Sequence, residues 1–521
     1  MIEDFRDPAV DAELTADLCI VGAGPAGLAI AREFTGTGTQ VLVLESGGLD
    51  AGSAADELNG GETVGLPFSL LEGRARTFGG TGTVWPGQCI RLDRSDLEAR
   101  DWVPDSGWPF DREHLDPYYR RAATWLGIPP EECDEQAWRR YGLVPPPFGT
   151  DRLEHRSSMY SSHPDVGAFY RGDFERSSNV RVLLHASVCR VDPGTAGTAG
   201  ELAIRSLAGR TGRVRARATV LCGGGIENAR LLLLSGVGER NDAVGRYLQE
   251  HPTLWIDLAT DRSAALQEFY GRLGRGKVRY VPRIRLGSGV QREEQVLNAI
   301  ATLVHDRAES PGLVAAREIS SALQERRRPR SLGRAELRGA VGQLDDVAVA
   351  AYRRFVRGRP SAVPLQRTRV QILLEQAPNP DSRISLSSEL DPLGLPKARV
   401  DWRLTELERR TARVFVSVLD AEFRRLGLAQ LTGHEWLDTD DWTSGFEDAY
   451  HPIGTTRMSD DPAAGVVDGD CRVHGLEGLY VCGTSVFPTS GYANPTLTII
   501  ALALRLADHL KSRPAGAASW T

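Results

Sequence analysis

The sequence predicts an α/β fold in which a Rossmann-like dinucleotide-binding domain is interleaved with a second domain built on a mostly antiparallel sheet with helices. Three observations carry that expectation. An apolar strand at Asp17 to Val21 runs into Gly22-Ala23-Gly24-Pro25-Ala26-Gly27, a helical stretch to Phe34 and a second strand, Gln40 to Leu44, that ends on Glu45. A strand, glycine turn and helix recur at Arg213 to Arg230, as though the chain returns to the same domain, and again from Leu479 to about Leu510. At 521 residues the chain is too long for one small domain, so the segments between these returns form a second one.

Each element has a local reason. Gly22 permits the tight turn, Gly24 lets a pyrophosphate approach the backbone, Gly27 allows close helix packing, and Glu45 can accept both hydroxyls of a ribose. The loop Phe78 to Gly87 is rich in glycine and threonine, so its backbone can pass close to a flat ligand while Trp85 anchors it. A helix starting near Asp111 reads as the crossover into the second domain. Segments Val180 to Val191, Glu201 to Ser206 and Arg213 to Val220 read as a meander, leading into Cys222-Gly223-Gly224-Gly225 and an apolar helix. That second turn lacks a full GxGxxG and a following acid, which argues against a nicotinamide site. The electrons should then come from the substrate.

From Trp255 to Trp442 strands (Lys277 to Leu286, Val370 to Ala377, Ser382 to Leu386, Lys397 to Asp401) alternate with helices (Val314 to Glu325, Leu344 to Arg357, Thr405 to Leu426). Arg326-Arg327-Arg328-Pro329-Arg330 reads as a solvated loop, because acids flank it. The tail 513–521 reads as disordered. Near the end come Tyr450-His451-Pro452-Ile453-Gly454-Thr455, the turn Gly483-Thr484-Ser485 and a helix opening at Asn494-Pro495-Thr496. Such a helix points unpaired N–H groups and its positive dipole end forward, so something electron-rich should face it, and a flavin ring is the candidate.

Composition narrows the partners. A net charge of −7 and a pI of about 5.9 provide no basic field for nucleic acid or an anionic membrane, and favour a small, roughly neutral substrate. Seven scattered cysteines with no CxxC pair exclude a zinc ribbon or dithiol centre and suggest a reducing compartment. The start, Met1 to Arg6, is polar and acidic, and no apolar run approaches the ~20 residues of a membrane span. A cytoplasmic protein without a metal, with oligomerisation left open, is the expectation.

Together these motifs resemble the glucose-methanol-choline (GMC) flavin oxidoreductases. The resemblance rests on Gly22-x-Gly24-x-x-Gly27 with Glu45, Gly79-Gly80, Gly224-Gly225-Ile226-Glu227-Asn228, Glu250-His251-Pro252, His451-Pro452-x-Gly454-Thr455 and Asn494-Pro495-Thr496, in the family's order along nearly the whole chain. It implies an FAD-binding domain from 1–100, 180–257 and 445–512, and a substrate domain from 101–179 and 258–444. It also implies FAD contacts from Gly22, Gly24, Gly27, Glu45, Gly79, Gly80, Thr81, Val188, Gly224, Gly483, Thr484, Asn494 and Thr496. Asn494 stands where many members carry a second histidine, as in the pyranose- and sterol-oxidising branches, and the pair is nearest to the pyranose-oxidase-like one. Val84 and Trp85 stand where some members link a histidine to the flavin, so the FAD is expected to be non-covalent. Gly483 replaces a common aspartate, with its own N–H or the Thr484 and Ser485 hydroxyls as substitutes.

The expected chemistry is oxidation of an alcohol, a secondary hydroxyl of a sugar, glycoside or related natural product, by hydride transfer to flavin N5. His451 is the candidate proton acceptor and Asn494 the candidate hydrogen-bond donor to the same oxygen. O2 or another acceptor would reoxidise the flavin. A bulky polycyclic or sterol-like alcohol is the alternative substrate, and a redox-neutral lyase that retains FAD the alternative of another class. A flavoprotein monooxygenase is disfavoured by the missing nicotinamide site. His251 and His474 read as structural, and Tyr450 and Trp85 as possible lining.

Overall fold

The computed structural model describes residues 1–130, 138–194, 200–238, 242–275, 278–307, 352 and 365–512. The helices expected at Val314 to Glu325 and Leu344 to Arg357, the arginine-rich loop and the tail 513–521 lie outside them. Three sheets organise the described chain.

The first sheet holds the dinucleotide motif. Its parallel core runs Val180–Leu184, Val41–Leu44, Glu13–Val21, Thr211–Leu221 and Leu479–Val481, five strands brought together from three distant parts of the chain. Ala16, Leu18, Cys19, Ile20, Val43, Val182, Val220, Leu221, Tyr480 and Val481 are all buried, the continuous apolar pattern of parallel strands covered on both faces. Helices Pro25–Glu33, Gly224–Ser235 and Thr496–Ser512 cover the strands. The last of these starts one residue later than expected and is buried almost throughout.

One segment differs from its sequence reading. Val180 to Val191 is two strands, Val180–Leu184 and Ser187–Asp192, divided at His185, whose φ of +56° breaks extended backbone. The first half joins the parallel core. The second forms the antiparallel meander with Gly200–Arg205 and Thr211–Leu221.

The second sheet is antiparallel throughout, in the order Gln430–Thr432, Thr253–Ala259, Leu365–Leu374, Ala299–Arg307, Val278–Leu286, Leu153–Tyr160 and Gln88–Cys89. Helix Glu406–Arg425 lies across it, opened by a capping box of Thr405 and Glu408 and buried along Ala412, Phe415, Val416, Leu419 and Phe423. The third sheet joins Arg383–Leu390 and Pro396–Trp402 to Gly61–Gly65, so strands from within 258–444 pair with a strand from within 1–100. No described helix is long and apolar enough to cross a membrane.

Candidate active site

A cavity of about 850 Å³ lies along the carboxyl ends of the parallel strands, in the upper part of the ~300–1,000 Å³ range of small-molecule sites. At one end Glu45 stops its strand, buried, with Oε2 accepting from the Ala23 N–H at 2.9 Å and Oε1 from the Gly47 N–H at 2.8 Å. Burial raises its pKa, against those two N–H donors and nearby Arg76. Oε1 also accepts from the Ser46 hydroxyl at 3.2 Å, so Oε2 is the oxygen that keeps lone-pair capacity for a ribose hydroxyl. Behind it Glu227 gathers Arg74 at 3.1 Å, Arg76 at 2.9 Å and Arg230 at 3.1 Å, and although burial opposes ionisation the three guanidinium groups hold its pKa down to about 2. Arg74 and Arg76 are not among the residues singled out from the sequence, since only the fold brings them to Glu227.

Of the expected cofactor residues, Gly22, Gly24, Glu45, Gly80, Thr81, Val188, Gly224, Gly483, Thr484, Asn494 and Thr496 all line this cavity. Gly27 and Gly79 do not. A side chain on Gly27 would meet the Gly22 carbonyl at 2.0 Å, and one on Gly79 the Gly167 Cα at 2.8 Å, so both glycines permit close packing behind the wall. Ser485 is also withdrawn: its hydroxyl accepts from Asn228 Nδ2 at 3.0 Å and it does not reach the cavity. Gly483 has φ +128° and ψ −164°, backbone open essentially to glycine alone, and a Cβ there would meet nothing within 4 Å because it would enter the cavity.

At the other end stands His451, on a loop held from below by a buried carboxylate. Glu250 accepts from the backbone N–H groups of His451, Ala449 (2.9 Å) and His251 (2.9 Å). Burial pushes the Glu250 carboxyl up to about 8, against those donors. Tyr450, just before His451, has φ +63°, a strained turn that sets the direction of the next side chain. A Cβ on Gly225 would lie 2.0 Å from the Pro452 carbonyl, so the glycine helix and the histidine loop are in contact.

His451 Nδ1 lies 2.9 Å from His251 Nδ1, and His251 Nε2 lies 3.4 Å from the Ser490 carbonyl. A carbonyl only accepts, so His251 Nε2 carries the hydrogen, and its neutral ring has only one. His251 Nδ1 is therefore the acceptor and His451 Nδ1–H the donor. Burial lowers His251 to about 4 and, with His251 and Arg283 nearby, lowers His451 well below its ordinary 6.5. Both rings are neutral near pH 7, and the Nε2 of His451 bears a lone pair. His251, read from the sequence as structural, is thus the neighbour that sets this tautomer. His474 Nε2 donates to the Ser459 carbonyl, 2.9 Å away, outside the cavity.

Asn494 faces the same space. Its Oδ1 is buried without a hydrogen-bond partner among the described residues. It precedes Pro495 and Thr496, and the first bond of the following helix runs from Ile499 N–H to Pro495 O at 2.9 Å, which leaves the earlier N–H groups directed at the cavity. Trp85 and Tyr450 complete the wall, held by Trp85 Nε1 to Pro164 O (2.6 Å) and Tyr450 OH to Glu72 Oε2 (3.0 Å).

An FAD fits these residues: the acid and glycine turns suit the adenosine and pyrophosphate, the open face at Gly483 leaves room, and the unsatisfied Asn494 Oδ1 and helix N-terminus await a polar ring edge. A dinucleotide cradle meeting a neutral histidine and an amide defines a flavoprotein oxidoreductase acting on CH–OH groups. The chain belongs to the GMC oxidoreductase family, whose N- and C-terminal models match residues 167–253 and 378–503. It is 26% identical to paromamine 6′-oxidase of Streptomyces fradiae over 94% of this chain and 90% of that one. A shorter match, 35% identical over 130 residues (25% of this chain, 24% of that one), is to C-glycoside 3-oxidase of Microbacterium trichothecenolyticum. A solved structure of a formate oxidase variant from Aspergillus oryzae RIB40 shares the fold, with a TM-score of 0.56 at 16% identity, covering 97% of this chain and 99% of that one. The protein is an FAD-dependent enzyme that oxidises alcohols.

Proposed function

We propose that the substrate is a sugar, glycoside or related natural product, oxidised at a secondary hydroxyl, with His451 as the proton acceptor and Asn494 as the group that holds the reacting oxygen. The observation that carries this is the His451–His251 contact, which leaves the His451 Nε2 lone pair free on a residue that lines the same cavity as Asn494, whose Oδ1 has no partner. When bound, FAD supplies the two-electron acceptor for the hydride of the carbinol carbon. His451 Nε2 takes the hydroxyl proton, which is within reach of a neutral imidazole and contributes on the order of 10²–10⁴-fold. The Asn494 amide donates to the same oxygen and limits its orientations. The N–H groups ahead of helix Thr496–Ser512 favour negative charge accumulating on a ring edge placed before them.

The choice of a glycoside follows two relatives, one named for oxidising paromamine at 6′ and one for oxidising C-glycosides at 3. The Asn494 position is consistent with the pyranose-oxidase-like branch. FAD is proposed to be non-covalent, since Gly80 to Pro86 place no histidine, cysteine or tyrosine on the cavity wall. Acid precipitation should release the yellow flavin into the supernatant, and colour retained in the pellet would refute that part.

The test of the whole reading is anaerobic mixing with a panel of sugars, glycosides and sterols, followed by repetition with air and with a quinone dye. Glycosides should bleach the flavin, and His451→Ala should bind FAD yet lose reduction by at least about 10²-fold. Wild-type reduction by that variant would remove His451 from the chemistry.

A further inference from the structure

Arg283 is a buried charge in this cavity with no opposite charge beside it. It projects from strand Val278–Leu286, is 3% exposed, and lines the same space as His451 and Asn494. Its Nη2 donates to Gln88 Oε1 at 2.5 Å, whereas Nε and Nη1 have no hydrogen-bond partner. Among the described residues no carboxylate pairs with it. Three other deeply buried arginines are answered by carboxylates, Arg100 by Glu375, Arg230 by Glu227 and Asp391, and Arg285 by Asp93 and Glu154, while Arg457, which lies outside this cavity, is held by the Asp105 carbonyl and the Tyr247 ring.

Burial lowers Arg283 to about 10, with only the hydroxyls of Tyr160 and Tyr492 acting to raise it, so it remains a cation at neutral pH. Its charge also depresses His251 and His451, which places it within electrostatic reach of the proton acceptor. An enclosed, uncompensated guanidinium is unfavourable unless an anion completes the site, and its planar donors match a carboxylate.

We infer that Arg283 anchors a carboxylate of the substrate, so that the preferred alcohols are sugar acids, carboxylated glycosides or other hydroxylated carboxylates. The inference rests on the alcohol-oxidation site proposed above and specifies its substrate. The carboxylate would accept from the unpartnered Nη1 of the guanidinium, while the carbinol lies toward His451 and Asn494. Gln88, which already holds Nη2, fixes the guanidinium plane.

Two measurements on the FAD-loaded full chain decide it. In the first, the oxidised enzyme is titrated with acetate and cyclohexanecarboxylate, and with the matching neutral amides, while the visible flavin spectrum is followed. Carboxylates should perturb the spectrum saturably and the amides should not. Equal response, or none to the carboxylates, overturns the inference.

In the second, methyl glucoside and methyl glucuronide are compared by anaerobic flavin reduction. Wild type should favour the glucuronide, and Arg283→Gln should collapse that preference by on the order of 10²-fold, with Arg283→Lys restoring part of it. A preference unchanged in Arg283→Gln means that the charge serves the flavin or the fold, and the inference falls. If neutral alcohols reduce the flavin and carboxylated ones have no advantage, the alcohol-oxidation site stands and only the carboxylate anchor is lost. If no alcohol of either kind reduces it, the site reading itself fails, while the titration still decides whether Arg283 binds a carboxylate.

Discussion

At residue scale the decisive arrangement is the pair of imidazoles. A base must be unprotonated before it can accept a proton, so the depressed pKa of His451 makes its active form the one present above that value and lost as pH falls through it. The acidic limb of anaerobic flavin reduction should therefore lie below 6.5. An acidic limb above 6.5 would contradict the buried, neutral ring. His251 does not reach the reacting atoms but orients the one that does. His251→Ala should lower the reduction rate by about 10²–10⁴-fold, as loss of tautomer control does elsewhere, and His251→Gln, which can still accept from His451 Nδ1–H, should recover much of it. A purely structural role would move stability in both variants and leave the acidic limb where it was. His451 and Asn494 were legible in the sequence because each sits in a compact motif with a chemical meaning of its own. His251 and Arg283 were not. The first is separated from His451 by 200 residues, and the second is an ordinary strand arginine until the fold buries it with Nε and Nη1 unpartnered.

At the scale of elements, two glycines test how the cofactor turn and the histidine loop are joined. Gly225→Ala forces a methyl group to 2.0 Å from the Pro452 carbonyl, so the helix Gly224–Ser235 and the His451 loop must separate. Overpacking of this kind costs about 1–3 kcal/mol or more, and because the loop carries His451 it should depress flavin reduction as well as the melting temperature. Gly483→Ala meets no atom but strains its backbone, by about 1–3 kcal/mol, and places a methyl group where the cofactor lies. It should weaken FAD retention, measured by flavin release on dilution, more than it lowers the stability of the apoprotein. The strand, glycine turn and helix units were readable from local pattern. The division of Val180 to Val191 was not, because a single left-handed histidine does not interrupt an apolar run. Ser485 could not be placed either, since its partner Asn228 lies 257 residues away.

At the scale of the molecule, the cavity wall is assembled from the first, middle and last parts of the chain, and FAD bridges them. Ligand that binds only the folded state stabilises it, by about 2.7 kcal/mol at a hundredfold excess over Kd. Removal of FAD should lower the melting temperature of the enzyme, and titration back should restore it in proportion to the logarithm of flavin concentration; a melting temperature indifferent to FAD would contradict a cavity shared by all these segments. The interleaving was inferred from the returning glycine turns, whereas the third sheet was not foreseen. Its pairing of Gly61–Gly65 with Pro396–Trp402 is a contact between segments that carry no common motif.

The strand Thr211–Leu221 has one more consequence. Its last three residues pair with Leu479–Val481, with Val220 and Leu221 fully buried beneath the join. As the chain emerges during synthesis, about 260 residues must follow before that edge can be covered. Until then an apolar parallel edge stays open, the kind of surface that recruits other chains. Expression yield of this enzyme should thus depend on how that nascent edge is shielded, by a chaperone or by lower temperature, more than on the stability of the finished fold.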